Sequence, residues 1–90
     1  MNWQIKFSRQ AEKYYMRFPS DMRKRVKTSL LDLAALALPF IHSDVTPLLG
    51  KLDGFYRLRI GKYRVVFSTI EDMRTIAVVS ILPRGDVYKK

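Results

Sequence analysis

Between Trp3 and Phe7 apolar and polar residues alternate with a period of two, which predicts a short first strand. Ser8 then stands where a helix N-cap belongs, and a helix is expected from Arg9 to about Phe18. Pro19-Ser20-Asp21 stops that helix and opens a second. There Met22, Val26, Leu30 and Leu33 recur four, four and three residues apart, on one helical face. The second helix has to end before Pro39, because the residue ahead of a proline is pushed out of the α region. Phe40 to Leu49 has no clean period and, with Pro47, Gly50 and Gly54 nearby, reads as loop.

Beyond Gly54 the period becomes that of strands. Phe55–Ile60, then Gly61-Lys62, then Tyr63–Ile70 reads as a hairpin, with glycine at the first central position of a type II′ turn. Glu71-Asp72-Met73 makes a further turn into Thr75–Leu82, a run of β-branched and apolar residues. That run alternates little, so it is expected to be covered on both faces. The expected fold class is therefore α+β: one small domain over residues 1–90, with an N-terminal strand and two helices packed on an antiparallel sheet that the strand joins.

The hairpin register converts sequence into a candidate site. A two-residue turn sets Ile60 opposite Tyr63, Arg59 opposite Arg64 and Leu58 opposite Val65. Cross-strand partners share a face and neighbours along a strand alternate. Tyr56, Leu58, Ile60, Tyr63, Val65 and Phe67 then form a core face, and Arg57, Arg59 and Arg64 the opposite one. Arg59 and Arg64 would stand within about 5.5 Å at Cβ, with Arg57 roughly 7 Å away. Like charges directly opposite destabilise a sheet. Either a distant carboxylate such as Glu71, Asp72 or one on a helix neutralises them, or they await a polyanion. Arginine makes forked contacts with phosphate oxygens and stays protonated at any cellular pH.

Charge supports the second reading. The chain has 90 residues, with 17 Lys and Arg against 8 Asp and Glu, a formal +9. Residues 1–30 carry +6 and residues 51–90 carry +5, flanking a middle of −2. Such a field concentrates polyanions at the surface. The hydrophobic fraction of 48% and only four Gly and four Pro describe a globular chain. With no cysteine, disulfide scaffolds, thiolate zinc sites and cysteine nucleophiles are excluded. The start of the chain lacks a signal peptide's apolar stretch. Leu33–Ile41 is interrupted by Pro39 and far too short to span a bilayer. A soluble, cytoplasmic protein is expected.

The remaining inventory narrows the chemistry. The acidic residues show no paired spacing of the kind a two-metal nuclease needs. The single histidine, His42, can form neither a metal cluster nor an imidazole pair and reads as a solvated loop residue. No serine stands in a strained nucleophile turn. What remains is stabilisation of a phosphorane-like transition state by fixed cations. RNA brings its own nucleophile, the 2′-hydroxyl, so an arginine site without metal or cofactor suits RNA and not DNA.

The stretches Leu49-Gly50-Lys51-Leu52, Tyr56-Arg57-Leu58-Arg59-Ile60-Gly61, Tyr63-Arg64-Val65-Val66-Phe67 and Pro83-Arg84-Gly85-Asp86-Val87-Tyr88 together resemble the RelE branch of the RelE/ParE toxin superfamily. The order of strand and two helices ahead of them is similar as well, so the likeness spans nearly the whole chain. The resemblance implies the toxin of a type II toxin–antitoxin system, a ribosome-dependent messenger-RNA endonuclease. It would cut in the A site by 2′-hydroxyl attack, without a metal or other cofactor, leaving a 2′,3′-cyclic end and arresting growth. By position, Arg57 falls where the family has its general base, Arg59 at a neighbouring phosphate contact and Arg64 at the transition-state stabiliser. Arg84 falls at the general acid, and Tyr88 at the residue that stacks on a base. The family pattern has lysines where this chain has Arg57 and Arg59. Lysine can be tuned toward neutrality and arginine barely can, so charge stabilisation with water-assisted proton removal suits Arg57 better, and the base stays open.

Tyr88 has two readings, a base-stacking platform or a packing residue at a strand end. Lys51, with Arg23, Lys24 and Lys27 of the second helix, are candidate RNA contacts; Lys13, Arg17 and Arg25 belong to the same basic helical surface. The other reading of that surface is a solvated helix face. The resemblance further implies a RelB-like antitoxin, which the +9 surface expects to be acidic and partly disordered, and operator binding by the pair. No membrane partner is expected. Two other functions remain: a ParE-like toxin that inhibits DNA gyrase by protein contact, whose branch generally lacks the late Arg–Tyr pair, and a protein that binds phosphate without turning it over.

Overall fold

The computed structural model describes residues 2–83. The elements run β1 (Gln4–Phe7), α1 (Arg9–Arg17), α2 (Ser20–Ala34), β2 (Val45–Pro47), β3 (Tyr56–Ile60), β4 (Tyr63–Ile70) and β5 (Thr75–Pro83), with single 3₁₀ turns at Pro39–Ile41, Gly50–Leu52 and Glu71–Met73. The five strands form one sheet in the order β1-β5-β4-β3-β2.

Local chemistry sets the start of α1 and the break between the helices. The Ser8 hydroxyl accepts from the Ala11 amide at 3.1 Å, capping α1, and donates to the Val79 carbonyl at 2.8 Å, tying that cap to β5. Pro19 breaks the chain between α1 and α2, and Asp21 sits in the first turn of α2, favourable to its dipole. On α2, Val26, Leu30 and Leu33 are buried and Met22 packs at their margin, as their spacing predicts. They meet Leu58, Ile60, Val65, Phe67, Ile76, Val78 and Ile81 from one face of the sheet. Burying each such side chain contributes about 1.5–3 kcal/mol.

The sheet is mixed, which corrects the antiparallel expectation. β1 pairs parallel with β5, from Gln4 opposite Thr75 to Phe7 opposite Val78. Periodicity along a strand says nothing of its direction; here direction is fixed by bonds distant in sequence. The Trp3 amide donates to the Ala34 carbonyl, the Gln4 amide to that of Arg74 and the Ser8 amide to that of Val78.

The expected loop at 40–49 is also corrected. It contains a 3₁₀ turn and β2, which pairs antiparallel with β3. Three residues are too few to show a period, and Pro47 fits because β2 is an edge strand.

β5 alternates weakly for two structural reasons. Val79 is the extra residue of a bulge, since Val66 pairs with Ser80 while Phe67 pairs with Val78. A second small cluster of Leu48 and Val66, bordered by Leu52, Phe55, Val79 and Leu82, covers part of the face away from the helices.

Candidate functional site

The β3–β4 hairpin has the register read from the sequence: Ile60 opposite Tyr63, Arg59 opposite Arg64, Leu58 opposite Val65. Gly61 has φ +59° and Lys62 has no positive φ, the signs of a type II′ turn. Leu58, Ile60 and Val65 are buried under the helices. The alternation therefore turns Arg57, Arg59 and Arg64 to the other face, where Arg57 pairs in register with Val66 of the small second cluster.

The carboxylate that answers Arg59 is Asp44, which the sequence reading did not name. Its Oδ1 lies 3.1 Å from a terminal nitrogen of Arg59, with both side chains substantially exposed at 63% and 41%. The Arg59 amide also donates to the Asp44 carbonyl. His42 is half-buried rather than solvated, and its Nδ1 accepts from the Asp44 amide at 3.0 Å, holding the aspartate in place ahead of β2. Arg64 donates from one terminal nitrogen to the carbonyls of Gly61 and Tyr63, at 3.2 and 3.0 Å, which aims its guanidinium at the hairpin end.

Beside these residues lies a polar hollow of about 530 Å³, walled by Arg59, Arg64, Asp44 and Gly61 and by Arg25 and Ser29 of α2. Asp44 and the place of Arg25 are what the sequence reading missed. β2 carries Asp44 to Arg59 across a segment without periodic signal. Arg25 and Ser29 are one helical turn apart, so their joint facing was visible, but not the element they face.

The other candidates separate. Lys51 is exposed on the Gly50–Leu52 turn, which Leu52 anchors to the second cluster on the arginine face. Lys24 and Lys27 are exposed on α2, across the sheet from that face; Lys27 borders an apolar groove with Ile5, Phe7 and Leu30. Arg23 donates to the carbonyls of Met16 and Phe18 at 3.3 and 2.9 Å, and so closes the C-terminal end of α1. Arg84 and Tyr88 lie outside the described residues; β5 is described to Pro83, opposite Tyr63 at the hairpin end. Among the described residues no group of three or more His, Asp or Glu is placed to hold a metal ion, and no helix is long and apolar enough to cross a membrane.

Comparison with known proteins gives a family model, described as the ParE toxin of a type II toxin–antitoxin system, parDE, which matches residues 5–88. Among solved structures, the archaeal RelE–RelB complex of Pyrococcus horikoshii OT3 contains a chain 28% identical, with a TM-score of 0.76, over 96% of this chain and 99% of that one. The RelBE2 toxin–antitoxin complex of Mycobacterium tuberculosis matches in fold at 21% identity and a TM-score of 0.79, over 96% and 95% of the two chains. A YoeB/ParE toxin from Agrobacterium tumefaciens does so at 16% identity and a TM-score of 0.77, over 90% and 98%. No curated protein sequence matches the chain.

Proposed function

The chain belongs to the ParE toxin family of type II toxin–antitoxin systems, within the RelE/ParE superfamily, and within that superfamily we propose that it is an endoribonuclease that cuts messenger RNA in the ribosomal A site. The observation that carries this reading is the cross-strand juxtaposition of Arg59 and Arg64 beside Arg57, on the face away from the helices. Three cations on one face of one hairpin, two of them opposite each other beside its turn, suit a reaction in which charge accumulates on phosphate oxygens.

The reaction forms a bond between the 2′-oxygen and phosphorus and breaks the bond from phosphorus to the 5′-oxygen. The 2′-hydroxyl loses a proton and the departing 5′-oxygen gains one. Arg64 and Arg59 stabilise the charged phosphorane. Arg57, which cannot readily give up its proton, stabilises charge while water removes the 2′-proton. Arg84 delivers a proton to the leaving oxygen, and Tyr88 stacks on a base and orients the strand. Lys51 contacts the RNA backbone on the same face, and Lys24 and Lys27 contact ribosomal RNA from the other side. No metal or cofactor has a step.

A cognate RelB-like antitoxin, acidic and partly disordered, would hold the toxin inactive in the cytoplasm. The +9 charge favours such a partner, and the Pyrococcus horikoshii relative is a RelE–RelB complex. The pair would also bind operator DNA. A second reading is gyrase inhibition by protein contact, favoured by the parDE description of the matching family. Translating ribosomes with a reporter message separate the two. Mapped cleavage within A-site codons, lost in Arg64→Ala, supports the nuclease; intact message with inhibited gyrase supports the other.

A further inference from the structure

Arg25 belongs to the helical layer by sequence, yet its guanidinium lies against the hairpin turn. A methyl group built on Gly61 would stand 3.1 Å from one terminal nitrogen of Arg25, and 3.3 Å from its central carbon and from its other terminal nitrogen. Three nearly equal distances mean that the guanidinium turns its flat face to the glycine, leaving its N–H edges for other partners. A side chain at position 61 would shift that guanidinium by a few tenths of an ångström, while the glycine itself answers the positive φ of the turn. Among the described residues Arg25 makes no ion pair.

The hollow it borders carries three guanidinium groups and the Ser29 hydroxyl against the single carboxylate of Asp44. Among the described residues its lining is therefore two positive charges in excess. Asp44 already shows what chemistry these walls accept, since its carboxylate oxygen sits on Arg59 as an anionic oxygen would. A cluster of forked donors with a hydroxyl beside them matches the oxygens of a phosphodiester.

We infer that Arg25 completes a seat for a second backbone phosphate of single-stranded RNA, next to the one that is cut, with Arg59 and Arg64 standing between the two phosphates and contacting both. The ligand's identity rests on the RNA-cleaving reading above. Arg25 binds at this seat and takes no part in bond making; Asp44 is the internal rival that the phosphate displaces from Arg59.

The test is a salt titration of binding between the full chain and a single-stranded oligoribonucleotide with 2′-O-methyl groups throughout, which 2′-attack cannot cut. Wild type, Arg25→Ala, Arg25→Lys and Lys6→Ala are compared. Lys6 is exposed on the far edge strand β1 and reports the loss of one positive charge alone. Arg25→Ala should lower the slope of log K against log salt by about 0.7, one single-strand phosphate contact. Lys6→Ala should leave the slope unchanged, and Arg25→Lys should bind between Arg25→Ala and wild type. Arg25 is exposed, so thermal melting should match wild type and verify the fold. Equal slopes for wild type and Arg25→Ala, or an equal drop in Arg25→Ala and Lys6→Ala, overturn the seat. Because the probe cannot be cut, the two readings fail separately. A slope change without message cleavage keeps the seat and removes the nuclease; cleavage without a slope change does the reverse.

Discussion

Arg59 stands directly opposite Arg64, and a like-charged pair in that position disfavours the hairpin that carries it. Asp44 answers one of the two, but an ion pair this exposed offsets at most about 1 kcal/mol. Removing a guanidinium should therefore cost function far more than stability. Arg64→Ala should lower the initial rate of message cleavage on ribosomes by about 100-fold or more, the scale of one lost transition-state donor, while a thermal melt stays close to wild type. Asp44→Asn should act in the opposite sense. It releases Arg59 to the RNA, so affinity for an uncleavable oligonucleotide should rise at low salt; unchanged affinity would remove Arg59 from the phosphate contacts. Tyr88→Ala separates the two roles open to that side chain. Loss of a stacking platform, about 1–3 kcal/mol, should slow cleavage without moving the melting temperature, whereas a packing role would lower the melting temperature instead.

Elements hold these residues in place, and their joints are open to the same kind of test. Ser8 caps α1 and reaches the Val79 carbonyl of β5 with one hydroxyl. Ser8→Ala should cost about 1–2 kcal/mol, seen as a melting temperature lower by roughly 4–8 °C per kcal/mol. The cap, both helices and the β3–β4 register were legible because each rests on local signals: a hydroxyl before a helical period, a proline between two helices, and a Gly-led two-residue turn between alternating strands. What escaped had no local signal. β2 is three residues long and ends in proline, so nothing in 40–49 announced that Asp44 would meet Arg59. The parallel seating of β1 on β5 depends on amides bonded to Ala34, Arg74 and Val78, far along the chain.

At the scale of the whole molecule, the sheet sorts the excess charge. Its helical side carries Lys24 and Lys27, its open side carries Arg57, Arg59 and Arg64, and Arg25 reaches from the first toward the second at the hairpin end. Composition alone made the net charge legible but not this division, because which basic side chain turns to which face depends on how α2 lies across the sheet. The division predicts two kinds of electrostatic loss: neutralising the arginine face should stop cleavage, whereas neutralising Lys24 and Lys27 together should weaken ribosome binding and flatten its salt dependence. The most direct measurement is to add the protein to translating ribosomes carrying a reporter message, with metal chelated, and to map the RNA ends. Cuts within A-site codons, ending in 2′,3′-cyclic phosphate and absent with Arg64→Ala, are the expected result. An intact message, together with inhibited gyrase or broken chromosomal DNA in expressing cells, would contradict it.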